Sequence, residues 1–105
     1  MKKLNELVAQ QIFGIQSWDQ PSPPLPYAQD ISYAKQVLEE MELNNHTYKI
    51  FAPDETIEPS PRYNYYTEFS DLGTSVTYGA FGHTLEESIC RAAILSRGVT
   101  LDDHL

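Results

Sequence analysis

Residues 84–98 read Thr-Leu-Glu-Glu-Ser-Ile-Cys-Arg-Ala-Ala-Ile-Leu-Ser-Arg-Gly, and this stretch carries the clearest structural signal in the chain. Thr84 and Glu87 have the spacing of a capping box, in which the threonine hydroxyl accepts a bond from a free backbone N–H and the glutamate bonds back to the cap. Gly98 suits the C-terminal end of a helix because glycine readily adopts the left-handed conformation. The stretch therefore predicts a helix. Its predicted core face consists of Leu85, Ile89, Ala92, Ala93 and Leu95.

Three strands are predicted before this helix. The segments 47–52, 62–69 and 75–81 are rich in aromatic and β-branched residues, which favour strands. Residues 70–73 read Ser-Asp-Leu-Gly and predict a hairpin loop, whereas residues 54–61 form an acidic loop with prolines. Alternation along the second strand divides its side chains between two faces. One face takes Tyr63, Tyr65, Thr67 and Phe69, and the other takes Asn64, Tyr66 and Glu68.

Two helices are predicted ahead of the strands. The first carries Leu4 and Val8 on an apolar face and ends at Gly14. The second runs from about residue 28 to residue 42, with Asp30 near its start, where a negative charge complements the helix dipole. Residues 15–26 contain four prolines. Because proline lacks a backbone donor, this segment predicts an extended connection.

The element order is therefore helix, helix, strand, strand, strand, helix. Parallel strands need a long crossover, and the sequence predicts no strand–helix–strand crossover. We therefore expect an α/β (α+β) fold, built as a layered helix–sheet–helix sandwich with three helices and a small antiparallel sheet of three or four strands. The chain of 105 residues is predicted to form a single domain over residues 1–105.

The composition predicts a soluble, acidic protein of the cytoplasm. Fifteen acidic and seven basic residues give a formal net charge of -8. This charge disfavours contact with nucleic acid phosphates and with anionic membranes. It favours solubility as its explanation, with a basic protein partner as the alternative. No apolar run approaches the ~20 residues of a membrane span, and the N-terminal sequence lacks the pattern of a secretory signal. The single cysteine, Cys90, fits a reducing compartment.

The sequence predicts no enzyme, no cofactor and no metal site. His46, His83 and His104 each lack a second His or Cys at the spacing of a helical metal site. Neither a glycine-rich phosphate loop with its lysine nor a Gly-x-Ser-x-Gly nucleophile turn occurs. Cys90 stands among apolar neighbours in the last predicted helix, which indicates a core or boundary residue and not a nucleophile.

Tyrosine is the unusual component of the chain, which contains seven of them. Tyr63, Tyr65 and Tyr66 are clustered beside Arg62, and tyrosines with an arginine are able to stack a nucleobase or a peptide side chain. The alternative interpretation is that Tyr63 and Tyr65 are half-buried sheet residues beneath a helix. The exposed residues would then form the contact surface. The candidate binding residues are therefore Trp18, Tyr27, Arg62 and Tyr66.

Several segments resemble a family of small phage proteins. The first predicted helix ends in Ile12-Phe13-Gly14, Pro26-Tyr27 precedes Asp30-Ile31, and residues 88–93 read Ser-Ile-Cys-Arg-Ala-Ala. With Trp18, these segments resemble the phage ABA sandwich domain family. Ala28-Gln29 departs from the Ser-Thr pair of that pattern, so the side-chain cap that the family pattern places before the second helix is missing. The resemblance implies a helix–sheet–helix layering and a phage or prophage origin, and it implies no activity.

Two functions follow as hypotheses. The first is a non-enzymatic phage or prophage accessory protein that binds a host or phage macromolecule; its strongest form imitates the charge of DNA and requires acidic side chains in rows on one face. The second is a small-ligand binding or sequestering protein with a nucleotide-like ligand, held in a pocket of Arg62 and the clustered tyrosines. The sequence leaves open the partner and the oligomeric state, including a dimer or a self-assembling structural subunit.

Overall fold

The computed structural model describes residues 2–16, 24–52 and 65–99. Its helices are α1 (Lys2–Gln11), α2 (Ile31–Leu43) and α3 (Leu85–Ser96), and its strands are β1 (His46–Phe51), β2 (Tyr65–Asp71) and β3 (Thr77–Gly82). The predicted α+β fold, with its order of three helices and three strands, is confirmed. Most of the proline-rich connection, the acidic loop 54–61 and the predicted start of the second strand lie outside the described residues.

The three strands form an antiparallel sheet in the order β1-β2-β3, so each strand pairs with its neighbour in the sequence. In this register Tyr66 lies opposite Phe51 on one side and Phe81 on the other. The β2–β3 turn is held by Asp71, whose carboxylate accepts a bond from the backbone N–H of Gly73 at 2.8 Å. Because side chains alternate along a strand, this register decides which residues share a face.

α3 lies at the centre of the fold, where it packs against β2 and β3 and also contacts α1 and α2. Its predicted core residues Ile89, Ala92 and Ala93 are buried, and Cys90 and Ile94 are buried as well. The buried surface of α3 is therefore wider than the predicted face. The physical reason is that a helix between a sheet and two other helices needs apolar or small residues on more than one side.

The contact between α3 and the sheet is close. A Cβ atom added at Gly82 would lie 2.5 Å from the backbone nitrogen of Ser88, so the end of β3 touches the backbone of the helix. Beside this contact, the buried hydroxyls of Thr67 and Ser88 are 2.8 Å apart. Ser88 itself donates to the carbonyl oxygen of Leu85 at 2.9 Å. The single hydroxyl hydrogen of Ser88 is thus used, and Thr67 is the donor to Ser88.

Both α2 and α3 begin at a side-chain cap. Thr84 accepts a bond from the backbone N–H of Glu87 at 3.2 Å, as predicted. α2 begins at Ile31, three residues later than predicted, because Asp30 is its cap and accepts a bond from the N–H of Ser32 at 2.8 Å. The cap that is missing from residues 28–29 is therefore supplied by Asp30. The predicted end at Gly98 is confirmed, because Gly98 follows the C-terminal cap Arg97 with a positive φ of 78°. α1 ends at Gln11, three residues before Gly14, which also has a positive φ, 68°.

Candidate functional site

The sheet has two faces of different character. The helix face carries Thr67, Phe69 and Ala80, which are buried beneath the helices. We call the opposite side the open face. It carries Thr47, Lys49, Phe51, Tyr66, Glu68, Ser70, Thr77, Gly79 and Phe81, all of which are exposed or half-buried. Within the described ranges, therefore, the helices lie on the helix face and leave the open face accessible.

An aromatic row crosses one end of the open face and consists of Phe51, Tyr66 and Phe81. The ring centroids of Phe51 and Tyr66 are 5.9 Å apart, and those of Tyr66 and Phe81 are 4.6 Å apart. Phe51 is 50% exposed and Phe81 is 53% exposed. Large apolar side chains exposed side by side, one from each strand, are typical of a contact surface and not of a solvated sheet.

Tyr66 occupies the centre of the aromatic row because of a neighbouring glycine. A Cβ atom at Gly79 would collide with the hydroxyl end of the Tyr66 ring, so the ring lies across the strand over Gly79. Partial burial raises the pKa of Tyr66, and the nearby carboxylate of Glu68 raises this pKa further. Tyr66 is therefore a neutral phenol at physiological pH, with an apolar ring between two phenylalanines and a polar end beside Glu68.

The structure places the four candidate binding residues differently. Tyr66 is in the aromatic row. The expectation that Tyr27 is exposed is wrong, because only 2% of Tyr27 is exposed. Its ring stacks on Phe13 with centroids 5.0 Å apart and meets the edge of Tyr33. The segment after the prolines thus inserts Tyr27 into the core. Trp18 and Arg62 lie outside the described residues.

The clustered tyrosines do not share one surface. Tyr65 and Tyr66 are consecutive residues of β2, so their side chains point to opposite faces of the sheet. A single pocket lined by both is therefore not formed. Tyr65 is half-buried on the helix face, which agrees with the alternative interpretation of this residue as a sheet residue. Tyr63 lies outside the described residues.

Sequence reasoning missed two members of the aromatic row, Phe51 and Phe81. Both belong to predicted strands, and the signal that identifies them is the pairing register and not their local sequence. The predicted hairpin loop at residues 70–73 would pair Tyr66 with Thr77, whereas the observed register pairs Tyr66 with Phe81, so the predicted loop does not identify Phe81. Phe51 is harder to place, because the β1–β2 connection is long and gives no turn signal that fixes the register.

Several reactive side chains of the described ranges are buried or take part in a helix cap. Cys90 is buried, and burial raises the pKa of its thiol far above the usual range, so the thiolate nucleophile is suppressed. The described ranges contain no group of three or more His, Cys, Asp or Glu residues that is able to hold a metal ion. His83 and Glu87 are 3.4 Å apart at the start of α3. Glu87 already accepts a bond from the backbone N–H of His83 at 3.1 Å, which identifies it as part of the cap.

The described acidic residues come from several elements of the fold and not from one. They are distributed over α1, α2, β2 and α3 with the adjoining cap and turn positions. Asp30 and Glu87 bond backbone groups at helix starts, and Asp71 holds the β2–β3 turn. The positions of these three acidic residues are explained by the backbone N–H groups that their carboxylates bond. This distribution does not favour the form of the first hypothesis in which the protein imitates the charge of DNA.

Two open clefts occur beside α1 in the described part of the chain. One is lined by Gln10, Gln11, Ile15 and Gln16. The other is lined by Lys2, Asn5, Pro24, Pro26 and Gln29. Neither cleft contains a tyrosine or a residue of the aromatic row, so neither matches the predicted nucleotide pocket. No described helix has the length and apolar character needed to cross a membrane.

Comparison with known proteins identifies a shared fold. No family model matches the chain, and no curated protein matches it. Among solved structures, the chain is similar to a phage protein from Bacillus cereus, with a TM-score of 0.72 and 24% sequence identity. The match covers 96% of this chain and 90% of that chain. The likeness shows that the two chains have the same fold, and the resemblance to the phage ABA sandwich domain family stays a prediction.

Proposed function

We propose that this chain is a non-enzymatic accessory protein of a phage or prophage, and that it binds another protein through the aromatic row on the open face. The observation that carries the proposal is the geometry of Phe51, Tyr66 and Phe81. Their rings lie in contact, and the two phenylalanines are half-exposed. Aromatic side chains contribute strongly to binding at the centres of protein interfaces.

The charge of the chain indicates the kind of partner. A net charge of -8 gives a negative field around the protein, and this field attracts and orients a basic protein surface. The same field repels nucleic acid and anionic lipid. A basic protein with an apolar contact patch therefore fits the open face best, and the expected location is the bacterial cytoplasm.

The phage setting is supported by two observations of different kinds. The similar structure from Bacillus cereus is that of a phage protein, and the likeness extends over nearly the whole chain. The segments 12–14 and 88–93 resemble those of a phage protein family in the sequence itself. A likeness at 24% identity shows the fold. The origin of this chain is accordingly part of the proposal, and it is tested together with the partner.

The aromatic row is tested by removing its exposed rings. The double variant Phe51→Ser/Phe81→Ser, called the row variant, is compared with the wild type. The matched control is Leu43→Ser/Leu72→Ser, which removes one exposed leucine from α2 and one from the β2–β3 turn. Each tagged protein is used to capture partners from a lysate of cells infected with a phage that encodes the protein. We expect one basic protein to be captured by the wild type and the control and lost from the row variant.

Affinity measurement then decides the proposal. The captured protein is produced separately, and its binding is measured by calorimetry. If each aromatic ring contributes about 2 kcal/mol, the row variant binds roughly 900-fold more weakly than the wild type. Equal affinity of the row variant and the wild type would contradict the proposal. A small molecule that copurifies with the wild type and the row variant, detected by native mass spectrometry, would favour the ligand-binding alternative instead.

A further inference from the structure

The side chains of the open face form three rows that run across the strands. The aromatic row is the first. The second contains two charges and a glycine, since Glu68 of β2 lies opposite Lys49 of β1 and Gly79 of β3. The third row carries only hydroxyl groups, which belong to Thr47, Ser70 and Thr77. The face therefore changes along the strands from apolar, through charged, to polar and uncharged.

Lys49 and Glu68 are the charged residues of the open face. Lys49 is exposed and Glu68 is half-buried. Each stands two residues from a ring of the aromatic row and on the same face, Lys49 from Phe51 and Glu68 from Tyr66. A specific interface covers about 800 Å² of each partner. A protein that covers the aromatic row therefore covers these two charges as well.

The two charges are close together but do not neutralise each other by direct contact. Residues directly opposite in a ladder have Cβ atoms about 4.5–5.5 Å apart, a separation that an ion pair is able to span. Among the described residues, however, no ion pair joins Lys49 to Glu68. The phenol of Tyr66 is instead hydrogen-bonded to the carboxylate of Glu68. An ammonium group has three donors and a carboxylate has two acceptor oxygens, so both groups retain capacity for a further partner.

A covered charge restricts what lies on it. Removing water from a charged group is strongly unfavourable unless the other surface supplies an opposite charge. The two charges have opposite sign and a fixed order, with Lys49 on β1 and Glu68 on β2. Charges at the margin of an apolar contact fix the register of a complex and exclude wrong partners. The open face thus favours a surface on which an acidic and a basic group are spaced to meet this pair.

We infer that Lys49 and Glu68 are the specificity-determining residues of the proposed interface. The protein partner places a carboxylate against Lys49 and an arginine or lysine against Glu68, while its apolar side chains cover the aromatic row. This inference rests on the proposed function and specifies the chemistry of the partner's contact surface. The net charge of -8 favours a partner that is basic as a whole, and the inference adds one acidic group within that basic surface.

Charge reversal tests both contacts. The variants are Lys49→Glu, Glu68→Lys and the double variant with both changes, which keeps the net charge. The affinity of each full-length variant for the protein captured with the wild type is measured by calorimetry. We expect each single variant to bind about tenfold more weakly than the wild type. We expect the double variant to bind roughly 100-fold more weakly, because two separate contacts are then wrong. High salt should reduce these losses.

Matched charge changes on α2 separate the contact from the long-range field of the protein. Lys35 and Glu39 are exposed residues of this helix, which belongs to the other side of the sheet. Lys35→Glu, Glu39→Lys and their double variant alter the net charge by the same amounts as the three variants of the open face. We expect each control to change the affinity by less than about threefold. Unchanged amide resonances in the helices show that every variant is folded.

The double variant also tests whether Lys49 pairs with Glu68 inside the complex. Such an internal pair would survive the exchange of the two charges. Weakened single variants together with wild-type affinity of the double variant would therefore overturn the inference. Tighter binding of Lys49→Glu would overturn it too, since the partner would then be uniformly basic at the contact.

The remaining outcomes separate this inference from the proposed function. If the partner is lost from the row variant but binds all three charge variants as it binds the wild type, the proposed function stands and this inference falls. If the row variant and the wild type bind equally, the proposed function falls, and this inference falls with it.

Discussion

The helix face and the open face of the sheet are formed by the same three strands, yet their residues differ in how far they are buried. On the helix face, Thr67 and Phe69 are buried, and Gly82 lets the backbone of α3 approach the sheet. On the open face, Phe51 and Phe81 keep about half of their surface exposed. The comparison shows that apolar residues of similar size are buried in the core on one face and partly exposed on the other.

The largest effect is expected from removing an aromatic ring on each face. Phe69→Ala leaves a cavity in a fully buried site and is expected to lower the free energy of unfolding by about 3–5 kcal/mol. Phe81→Ala removes a half-exposed ring and is expected to cost only about 1–2 kcal/mol. Urea unfolding of both variants measures the difference. Equal costs would show that the open face is as important to stability as the helix face.

The two glycines of β3, Gly79 and Gly82, allow a finer comparison of the two faces, because each lies against a different kind of neighbour. In Gly82→Ala the new methyl group meets the backbone of Ser88, which cannot move without shifting α3, and we expect a loss of about 1–3 kcal/mol. In Gly79→Ala the new methyl group meets the ring of Tyr66, a side chain that is able to rotate away. We expect a loss below about 1 kcal/mol for this variant.

Thermal unfolding followed by circular dichroism ranks the two glycine variants. The ring resonances of Tyr66, observed by NMR, should shift in Gly79→Ala and stay in place in Gly82→Ala. The reverse order of stabilities would mean that the close approach of α3 to β3 is not a constraint on the fold.

A pair of hydroxyl contacts offers a smaller test of the same difference. Thr67 donates to Ser88 in the buried interface, whereas the exposed hydroxyls of Ser70 and Thr77 are 3.0 Å apart on the open face. Thr67→Val is expected to lower the free energy of unfolding by about 1–2 kcal/mol, because the buried hydroxyl oxygen of Ser88 loses the hydroxyl that donates to it. Thr77→Val is expected to stay within about 0.5 kcal/mol of the wild type, since water replaces the lost bond. Chemical unfolding of both variants checks this, and equal losses would contradict it.

The smallest expected effect is a pH dependence that involves Tyr66. Its pKa is raised in the folded protein by partial burial and by Glu68, so the folded state holds the phenol proton more tightly than the unfolded state. The stabilisation from this group is complete below pH 10, the ordinary pKa of tyrosine, and it is lost as the pH rises through the folded pKa. Tyr66→Phe should flatten the fall in stability above pH 10. Parallel curves for variant and wild type would exclude this contribution.

The local sequence was sufficient for the order of the elements and for several of their ends. The hydroxyl of Thr84 starts α3, and Gly98 ends it, as their residue types predict. These features depend on contacts within three or four residues of the chain, and such contacts are encoded locally. The start of α2 was predicted less well. Asp30 takes the cap there, while the N–H of Ala28 bonds to Asn5 at 2.8 Å across the fold.

The aromatic row was predicted only in part, for a related reason. Tyr66 was identified from its sequence cluster, but Phe51 and Phe81 join it through pairing across 15 residues on each side. Tyr27 was predicted to be exposed and is a core residue, because it stacks on Phe13 from a different segment. Whether an aromatic side chain is buried depends on what packs against it, which short-range patterns do not contain.

The sequence by itself thus determined the acidic charge, the element order, the antiparallel pairing and the caps of α3, since these follow from composition, periodicity and contacts between near neighbours. Only the tertiary structure decided which face of the sheet α3 covers and which three rings form the aromatic row. The physical reason is that each of these depends on long-range packing, in which one choice of register and one covered face fix the surroundings of every strand residue.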